Sequence, residues 1–570
     1  KETLFKGASG FYDKKVFLLF SMDMSGIQDF IYTIASKNAL RMLRSRSFYL
    51  EIFMENLIDE LLDYIGMSRA NLIYSGGGHA YIITANTENI KQKIAEFESK
   101  INEWLLGEFK TALFLGCGYA ECSANELHNK PEGAYRQISQ KKIKRYSAAQ
   151  IIKLNSEGKK DGTRECRVCR RTSKLLEDDD ICSVCNAMID MSQNILYKGF
   201  YIVTENPKDK AALPLPFGRY LVADNRKELL EKMKQDDSSY IRAYTKNKSY
   251  TGFKVVKNLW VGDYTLGDSF EELAKKSEGI NRIAVFRADV DNLGDAFVNG
   301  FASKKYGEKY MTISRTATFS RKMSMFFKYH INYILENGEF YIADKKEEER
   351  GKRNATIVYS GGDDVFVVGS WDDVVGFAVD LQKSLKEFSQ DTLTISGGIG
   401  IYPAKYPINN MARLTGELEE CSKKYRNEVT KQEKNAITLF TPPQEKSGNN
   451  SLSLTQDMTF SWKDFENNVV RIKLNFIKKF FMKTPEKGKA FLYRILELIR
   501  GMEDDKINLA RLAYTLARLE EALKRDKEAG QIKEINFFSS TIYKWIGCEK
   551  DRKEFIAAIY LYVYLIRDEY

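Results

Sequence analysis

"TIVYSGGDDVFVVG", residues 356–369, places two glycines and two adjacent aspartates between two short runs of β-branched and aromatic residues. Residues 356–359 and 365–368 are too short and too β-branched for helices, so they read as the arms of a hairpin. Gly361 and Gly362 are expected at its tip, where positive φ costs glycine nothing. Asp363 and Asp364 need another reason, because neighbouring carboxylates repel unless water screens them or a cation lies between them. A solvated turn and a metal-binding turn are both open at this point.

The hairpin has a partner near the N-terminus. "VFLLFSMDMSGIQDFIY" (16–32) is followed by "NLIYSGGGHAYII" (71–83), just as "RIAVFRADVDNLGDAFV" (282–298) precedes the GGDD hairpin. Each copy reads as strand, aspartate at the strand end, helix start, helix, strand, Tyr-Ser-Gly-Gly, strand. Asp23 lies 53 residues before Gly76 and Asp289 lies 72 before Gly361, the charged insert "DKKEEERGKRN" (344–354) accounting for much of the difference. An amphipathic helix follows in both (about 89–106 and 371–388), then the small-residue strands "TALFLGCGYA" and "LTISGGIGIY". The order βαββαβ is that of a ferredoxin-like lobe. The fold class expected is therefore α+β and multidomain, with a first lobe over 1–147, a cysteine-bearing middle domain over 148–275, a second lobe over 276–446 and a helical bundle over 447–570. "PPQEKSGNNSLSL" (442–454) reads as the linker to that bundle, and "EFIAAIYLYVYLIRD" (554–568) as a buried helix within it.

At 570 residues the chain exceeds one core, and its net charge of +10 suits contact with a polyanion without requiring it. The longest apolar run, 555–566, is 12 residues, short of the roughly 20 that cross a membrane, and the N-terminus shows no signal peptide. A soluble, cytoplasmic protein is expected, with no membrane partner.

Chemistry concentrates in the second lobe. Asp289 ends an apolar strand, Asp291 shares its face if the strand continues, and Asn292 opens the next helix, where unpaired N–H groups suit a phosphate. The first strand of such a lobe is central and adjoins the hairpin, so Asp289 converges on Asp363 and Asp364. These three are the expected catalytic carboxylates, holding Mg²⁺ or Mn²⁺ for an in-line phosphoryl displacement. Strand alternation raises one difficulty: Asp363 and Asp364 face opposite ways unless the glycine turn twists the backbone between them. The first lobe is degenerate, with Gly78-His79 in place of the aspartate pair and Asp23-Met-Ser25 in place of Asp289-Val-Asp291. Its Ser25-Gly26 helix start and its Ser75-Gly76-Gly77-Gly78 turn are expected to cradle a triphosphate through backbone N–H groups. His79 is either a nucleotide contact or a packing residue.

Cys166, Cys169, Cys182 and Cys185 form a C-x₂-C-x₁₂-C-x₂-C pattern, two knuckles that fill a tetrahedral Zn²⁺ and leave no open position. A structural zinc is expected; a redox role is the rival.

The degenerate SGGGH and intact SGGDD turns, the "DMSGIQDFIY" opening, the four-cysteine insert and the helical tail together resemble the large subunit of type III-A CRISPR effector (Csm) complexes. The resemblance implies a palm/cyclase enzyme of antiviral defence, a nucleotidyltransferase that makes cyclic oligoadenylates from ATP when guide RNA pairs with target RNA. It implies the other Csm subunits, both RNAs and single-stranded DNA as partners. It matches Asp363 and Asp364 to the catalytic pair and Asp289 to a further metal ligand. It also matches Ser360-Gly361-Gly362 and the first-lobe turn to ATP sites, and Lys423 to a triphosphate contact. Many members begin with a histidine–aspartate nuclease domain; here His79, His128 and His330 are the only histidines and none is in a His-Asp pair, so DNA cleavage is not assigned to these residues. Two other readings remain: a non-catalytic RNA-binding scaffold, and a diguanylate-cyclase-like enzyme.

Overall fold

A computed structural model describes residues 10–567, apart from 11, 35–37, 127–131, 157–163, 172–179, 208–210, 236–238, 303, 306, 308, 428–430, 441–457, 482–484, 503, 504, 506 and 525–528. The chain opens with β1 (Phe17–Ser25), α1 (Ile27–Tyr32) and the long α2 (Ala39–Ile65). The hairpin β2 (Leu72–Gly76) and β3 (His79–Ala85), then α3 (Glu88–Phe109), β4 (Phe114–Cys122) and α4 (Glu132–Ile143) complete the first lobe. Its strands lie in the order β2-β3-β1-β4, antiparallel throughout, the ferredoxin-like arrangement that the repeated pattern predicts. Alternate residues Leu18, Phe20, Met22 and Met24 of β1 enter one core with the apolar stripe of α2. Thr87 caps α3 by accepting from the Ile90 N–H.

The middle region does not stand apart as its polar composition suggests. Its helix α5 (Ser183–Tyr197) lies along α2, where the Ser45 hydroxyl donates to Met188 Sδ at 3.4 Å. A mixed sheet follows, β5 (Phe200–Thr204), β6 (Leu213–Leu215), β7 (Arg219–Asp224), β8 (Tyr240–Lys246) and β9 (Val255–Leu259), in the order β6-β7-β5-β8-β9. Tyr201 packs its ring 4.5 Å from Phe48 of α2, and the Tyr244 hydroxyl donates to Asp59 of α2 at 2.6 Å. The region thus shares the first lobe's core.

The second lobe repeats the first: β10 (Ile283–Val290), α6 (Leu293–Asn299), α7 (Ile313–Met325), β11 (Ala355–Gly361), β12 (Asp364–Ser370), α8 (Trp371–Phe388), β13 (Ile395–Tyr402) and α9 (Ile408–Lys424). The order β11-β12-β10-β13 is that of the first sheet, and two strands extend it: β14 (Ala436–Phe440), parallel to β13, and β15 (Thr459–Ser461). The second sheet therefore takes in residues that the sequence reading gave to the helical tail. The expected linker at 442–454 lies outside the described residues.

Four helices close the chain: α10 (Pro485–Met502), α11 (Ile507–Lys524), α12 (Ala529–Gly547) and α13 (Glu549–Leu565). As its sequence suggests, α13 is buried, with residues 555–559 fully covered. It seats against the second lobe, where the Ile280 N–H donates to the Tyr564 carbonyl and Trp371 meets Tyr564 edge-on. Gly279 permits this approach, because its φ is +69° and a Cβ there would lie 2.2 Å from that same carbonyl oxygen. The two lobes face each other reciprocally, α2 against β11 and α7 against β2.

Candidate active site

The second-lobe hairpin is tighter than its sequence suggests. Its strands run on through Gly361 and from Asp364, leaving only Gly362 and Asp363 in the turn. Gly362 takes φ +66°, whereas Gly361 has no positive φ and pairs in the ladder with Asp364, so one glycine of the two serves the turn. Asp363 belongs to the turn and Asp364 is the first strand residue, which removes the expected conflict of opposite faces. Asp364 sits opposite Asp289 in the ladder. Carboxylate oxygens of Asp289, Asp363 and Asp364 all lie within 4.8 Å of one another.

Three carboxylates at this spacing are short of positive charge. Lys423 Nζ, on the last turn of α9, lies 2.6 Å from Asp289 Oδ2 and 2.7 Å from Glu419 Oε1. Burial, then the charge of Asp289, pushes Asp363 up to about 7. Burial, then Asp363 and Asp289, pushes Asp364 well up. A divalent cation fits such a donor set: few carboxylates, hard oxygen atoms and strong mutual repulsion for the cation to relieve. Asp291 does not join them. The strand stops at Val290, and the Asp291 carboxylate accepts from the Thr394 hydroxyl at 2.7 Å and the Asn435 N–H at 3.0 Å. Asn292 starts α6 in the left-handed region, φ +54°, and its side chain accepts from Lys434.

The first lobe has the same frame with its charges already matched. Asp23 sits opposite His79 as Asp289 sits opposite Asp364. His79 Nδ1 is 3.0 Å from Asp23 Oδ1, its Nε2 is 3.3 Å from the Ser21 hydroxyl, and Lys142 of α4 pairs with the other Asp23 oxygen. Burial alone would raise the Asp23 pKa, but His79 and Lys142 outweigh it and hold the carboxyl below its ordinary range. Lys142 was not singled out from the sequence. Its signal was positional, because α4 and α9 both follow the fourth core strand and both return a lysine to the strand-end aspartate.

The two turns meet at the lobe interface. A Cβ on Gly362 would lie 3.9 Å from Gly77 Cα, and Gly77 and Gly78 both take positive φ, +59° and +80°. On one side of this contact lies a cavity of about 370 Å³, lined by Gly26, Ile27, Gln28 and Tyr32 of the first lobe and by Tyr359 and Asp364 of the second. On the other side a cavity of about 40 Å³ is lined by Ser75, Gly76, Gly78 and His79 with Lys328 and Gly361. Gly26 and both glycine turns are thus brought together, and Asp364 of the three carboxylates lines the larger cavity, whereas Ser25 and Asn292 line neither. The serine hydroxyls are engaged elsewhere: Ser75 donates to Glu55 and accepts from Lys257, and Ser360 donates to the Phe327 carbonyl. Ser25 is buried with its hydroxyl unpartnered. Tyr32, Gln28 and Tyr359 line the larger cavity without having been foreseen. Tyr32 also packs its ring 4.7 Å from Phe366, binding α1 to the second sheet.

In the middle region, the sulfur atoms of Cys166, Cys169, Cys182 and Cys185 lie within 4.8 Å of one another. The Cys182 N–H donates to Cys166 Sγ at 3.4 Å, a contact of the kind that orients a thiolate. Hydrogen bonds from Cys182 and Cys185 hold the Cys169 thiol far below its ordinary range, as expected where thiolates converge. Among the described residues, the cysteines and the aspartates are the two clusters suited to a metal ion.

Residues 16–157 match the family model described as Csm1 subunit domain B, residues 282–438 that of the Cas10/Cmr2 second palm domain, and residues 478–568 that of the second helical domain of the CRISPR RNA silencing complex Cmr2 subunit. A protein of Mycobacterium tuberculosis, named CRISPR system single-strand-specific deoxyribonuclease Cas10/Csm1 (subtype III-A), is 40% identical over 592 residues, covering 100% of this chain and 69% of that protein. Its counterpart in Streptococcus thermophilus is 40% identical over 587 residues, covering 100% of this chain and 70% of the counterpart. Among solved structures, a Csm1–Csm4 cassette in complex with AMPPNP superposes with a TM-score of 0.69 at 24% identity, over 98% of this chain and 70% of that one. A cassette in complex with cA4 gives 0.67, also at 24%, over 94% of this chain and 70% of that one. These two share the fold, and the family follows from the full-length relatives: the chain belongs to the Cas10/Csm1 family of subtype III-A CRISPR systems.

Proposed function

We infer that this chain is the nucleotidyltransferase of a type III-A Csm complex, converting ATP to cyclic oligoadenylates when guide RNA in the complex pairs with target RNA. The observation that carries this reading is the convergence of Asp289, Asp363 and Asp364 beside an interlobe cavity of about 370 Å³. Relatives of the same fold have been solved with ATP, AMPPNP, cA3 and cA4, which supports adenine nucleotides as the ligands.

In this reading one ATP lies against the first-lobe helix start (Ser25, Gly26) and glycine turn (Ser75 to His79), and a second against Ser360, Gly361, Gly362 and Asn292. The 3′-hydroxyl of one attacks the α-phosphate of the other; a phosphorus–oxygen bond forms, the α–β bridge breaks, pyrophosphate departs and the hydroxyl proton leaves to solvent. Asp289, Asp363 and Asp364 would hold Mg²⁺ or Mn²⁺, whose charge favours the in-line displacement. The glycine turns bring backbone N–H groups to the phosphates, and Lys423 offers its ammonium to a triphosphate. Asp23, neutralised by His79 and Lys142, leaves the first lobe to bind and orient. The four cysteines hold a structural zinc that fixes α5 and the middle sheet on α2. The boundaries lie near 147 and 275, with the third moved from 446 to beyond β15, after Ser461, and the partners are the other Csm subunits and both RNAs.

The test is direct. With labelled ATP, Mn²⁺ and target RNA, the assembled complex makes oligoadenylate, and Asp363→Ala with Asp364→Ala reduces it below about one part in a thousand while complex assembly survives. Product from GTP in place of ATP would favour a diguanylate-cyclase-like enzyme, and no product from either would favour a scaffold.

A further inference from the structure

The two lobes repeat an aspartate and a lysine, but the lobe with three carboxylates adds a pair that the other lacks. Arg287 stands two residues before Asp289 on the same strand face; its counterpart in the first lobe, two residues before Asp23, is Ser21. Arg287 Nε lies 2.6 Å from Glu419 Oε2, and the other Glu419 oxygen, Oε1, lies 2.7 Å from Lys423 Nζ. Lys423 in turn reaches Asp289 at 2.6 Å. Glu419 is 5% exposed. At its far end, Arg287 Nη2 donates to Gln28 Oε1 at 3.1 Å, and Gln28 lies on the wall of the larger interlobe cavity. Two glycines bring α9 close enough for this: a Cβ on Gly398 would lie 2.6 Å from the Glu419 nitrogen, and one on Gly416 would lie 3.1 Å from Arg287 Nη1.

We propose that Glu419 is a positioning residue, the alternative seat for the Lys423 ammonium when a divalent cation takes Asp289, and that Arg287, held by Gln28, fixes Glu419 in that place. The inference rests on the metal-binding reading of Asp289, Asp363 and Asp364. Lys423 now satisfies both Asp289 and Glu419. A cation arriving at Asp289 repels the ammonium by like charge at close range. Because Glu419 is buried and already in contact, Lys423 can shift its weight to it without crossing solvent or losing its charge-assisted hydrogen bond. Without the Glu419 charge the ammonium rests wholly on Asp289, and an arriving cation must displace it. Arg287 uses the opposite carboxylate oxygen, so it orients Glu419 without competing for Lys423.

The experiment is Mn²⁺ binding to the full chain without nucleotide, read by the paramagnetic resonance of free Mn²⁺ and by the Mn²⁺-induced shift in melting temperature. Glu419→Gln is expected to weaken Mn²⁺ binding by about fivefold or more, the worth of one charge-assisted contact. Adding Lys423→Gln to Glu419→Gln removes the competing ammonium and is expected to restore affinity to within about twofold of wild type. A Glu419→Gln protein with lowered melting temperature and unchanged Mn²⁺ affinity would reduce Glu419 to a clamp between α9 and the sheet, overturning the proposal. So would a double variant that binds no better than the single one. If wild type itself binds no Mn²⁺ that Asp363→Ala with Asp364→Ala abolishes, the metal reading of the site has failed instead, and the two failures are distinguishable.

Discussion

Asp363 lies in a turn of two residues, yet its carboxyl is pushed up to about 7 by burial and by Asp289. An unfolded aspartate titrates near 4, so the metal-free fold binds this proton more tightly than the unfolded chain does. Its ionisation therefore destabilises the metal-free protein as pH rises from about 4 to about 7, and a bound cation removes that burden. Mn²⁺ is thus expected to raise the melting temperature more at pH 8 than at pH 6, where it must also displace a proton. Asp363→Asn, which keeps the shape and removes the charge, is expected to raise the metal-free melting temperature by a few degrees at pH 8 and to lose most of the Mn²⁺ response. A metal-free protein that Asp363→Asn leaves unchanged or destabilises would show that the carboxylates do not repel. The sequence placed these three residues together because strand order dictates it. It did not reveal how Asp23 is paired, because the His79 and Lys142 contacts to it depend on distances that no local spacing encodes.

At the scale of elements, repetition carried most of the information. The βαββαβ order and the aspartate-to-hairpin pairing were legible because apolar runs of strand length flank Tyr-Ser-Gly-Gly twice. What escaped was α4, the helix after the fourth strand of the first lobe, which returns Lys142 to Asp23, and the embedding of the middle region; Lys423 of α9 was matched through the resemblance alone. Its Lys- and Asp-rich stretches mask the apolar face of α5, and that face is covered chiefly by α2, with β6 and β7 of its own sheet beside it. The cysteine knuckles lie against the first lobe, where Arg46 of α2 sits close to Cys185 and Cys169. Cys166→Ser is therefore expected to release zinc and to lower the melting temperature by several degrees, through loss of the folding energy that a structural metal supplies. Metal analysis and a thermal melt check it, and an unchanged melt with full zinc loss would contradict the staple.

At the scale of the molecule, the site exists only because the lobes are held face to face, and the contacts doing this join residues far apart in sequence. Lys328, on the stretch after α7 in the second lobe, pairs with Glu51 of α2 in the first, and both are mostly buried. Burial alone would push the Lys328 pKa down, but Glu51 beside it reverses the shift and raises it. Such a pair, separated by 277 positions, is invisible to periodicity or motif. Its removal tests whether the interface is one rigid seat for the glycine turns. Lys328→Met strands Glu51 at the interface and is expected to cost about 3 kcal/mol, whereas Lys328→Met with Glu51→Leu, which replaces the pair by apolar contact, is expected to recover most of that loss. Because Lys328 and Gly361 line the same small cavity, the single variant should also weaken ATP binding, and the double variant should restore the fold without fully restoring that affinity. Urea denaturation and ATP titration of the four proteins in the cycle give both readings. A single-variant loss near 0.5 kcal/mol, the value of a solvated surface pair, would mean that the lobes are joined chiefly by Tyr32, Phe366 and the opposed turns.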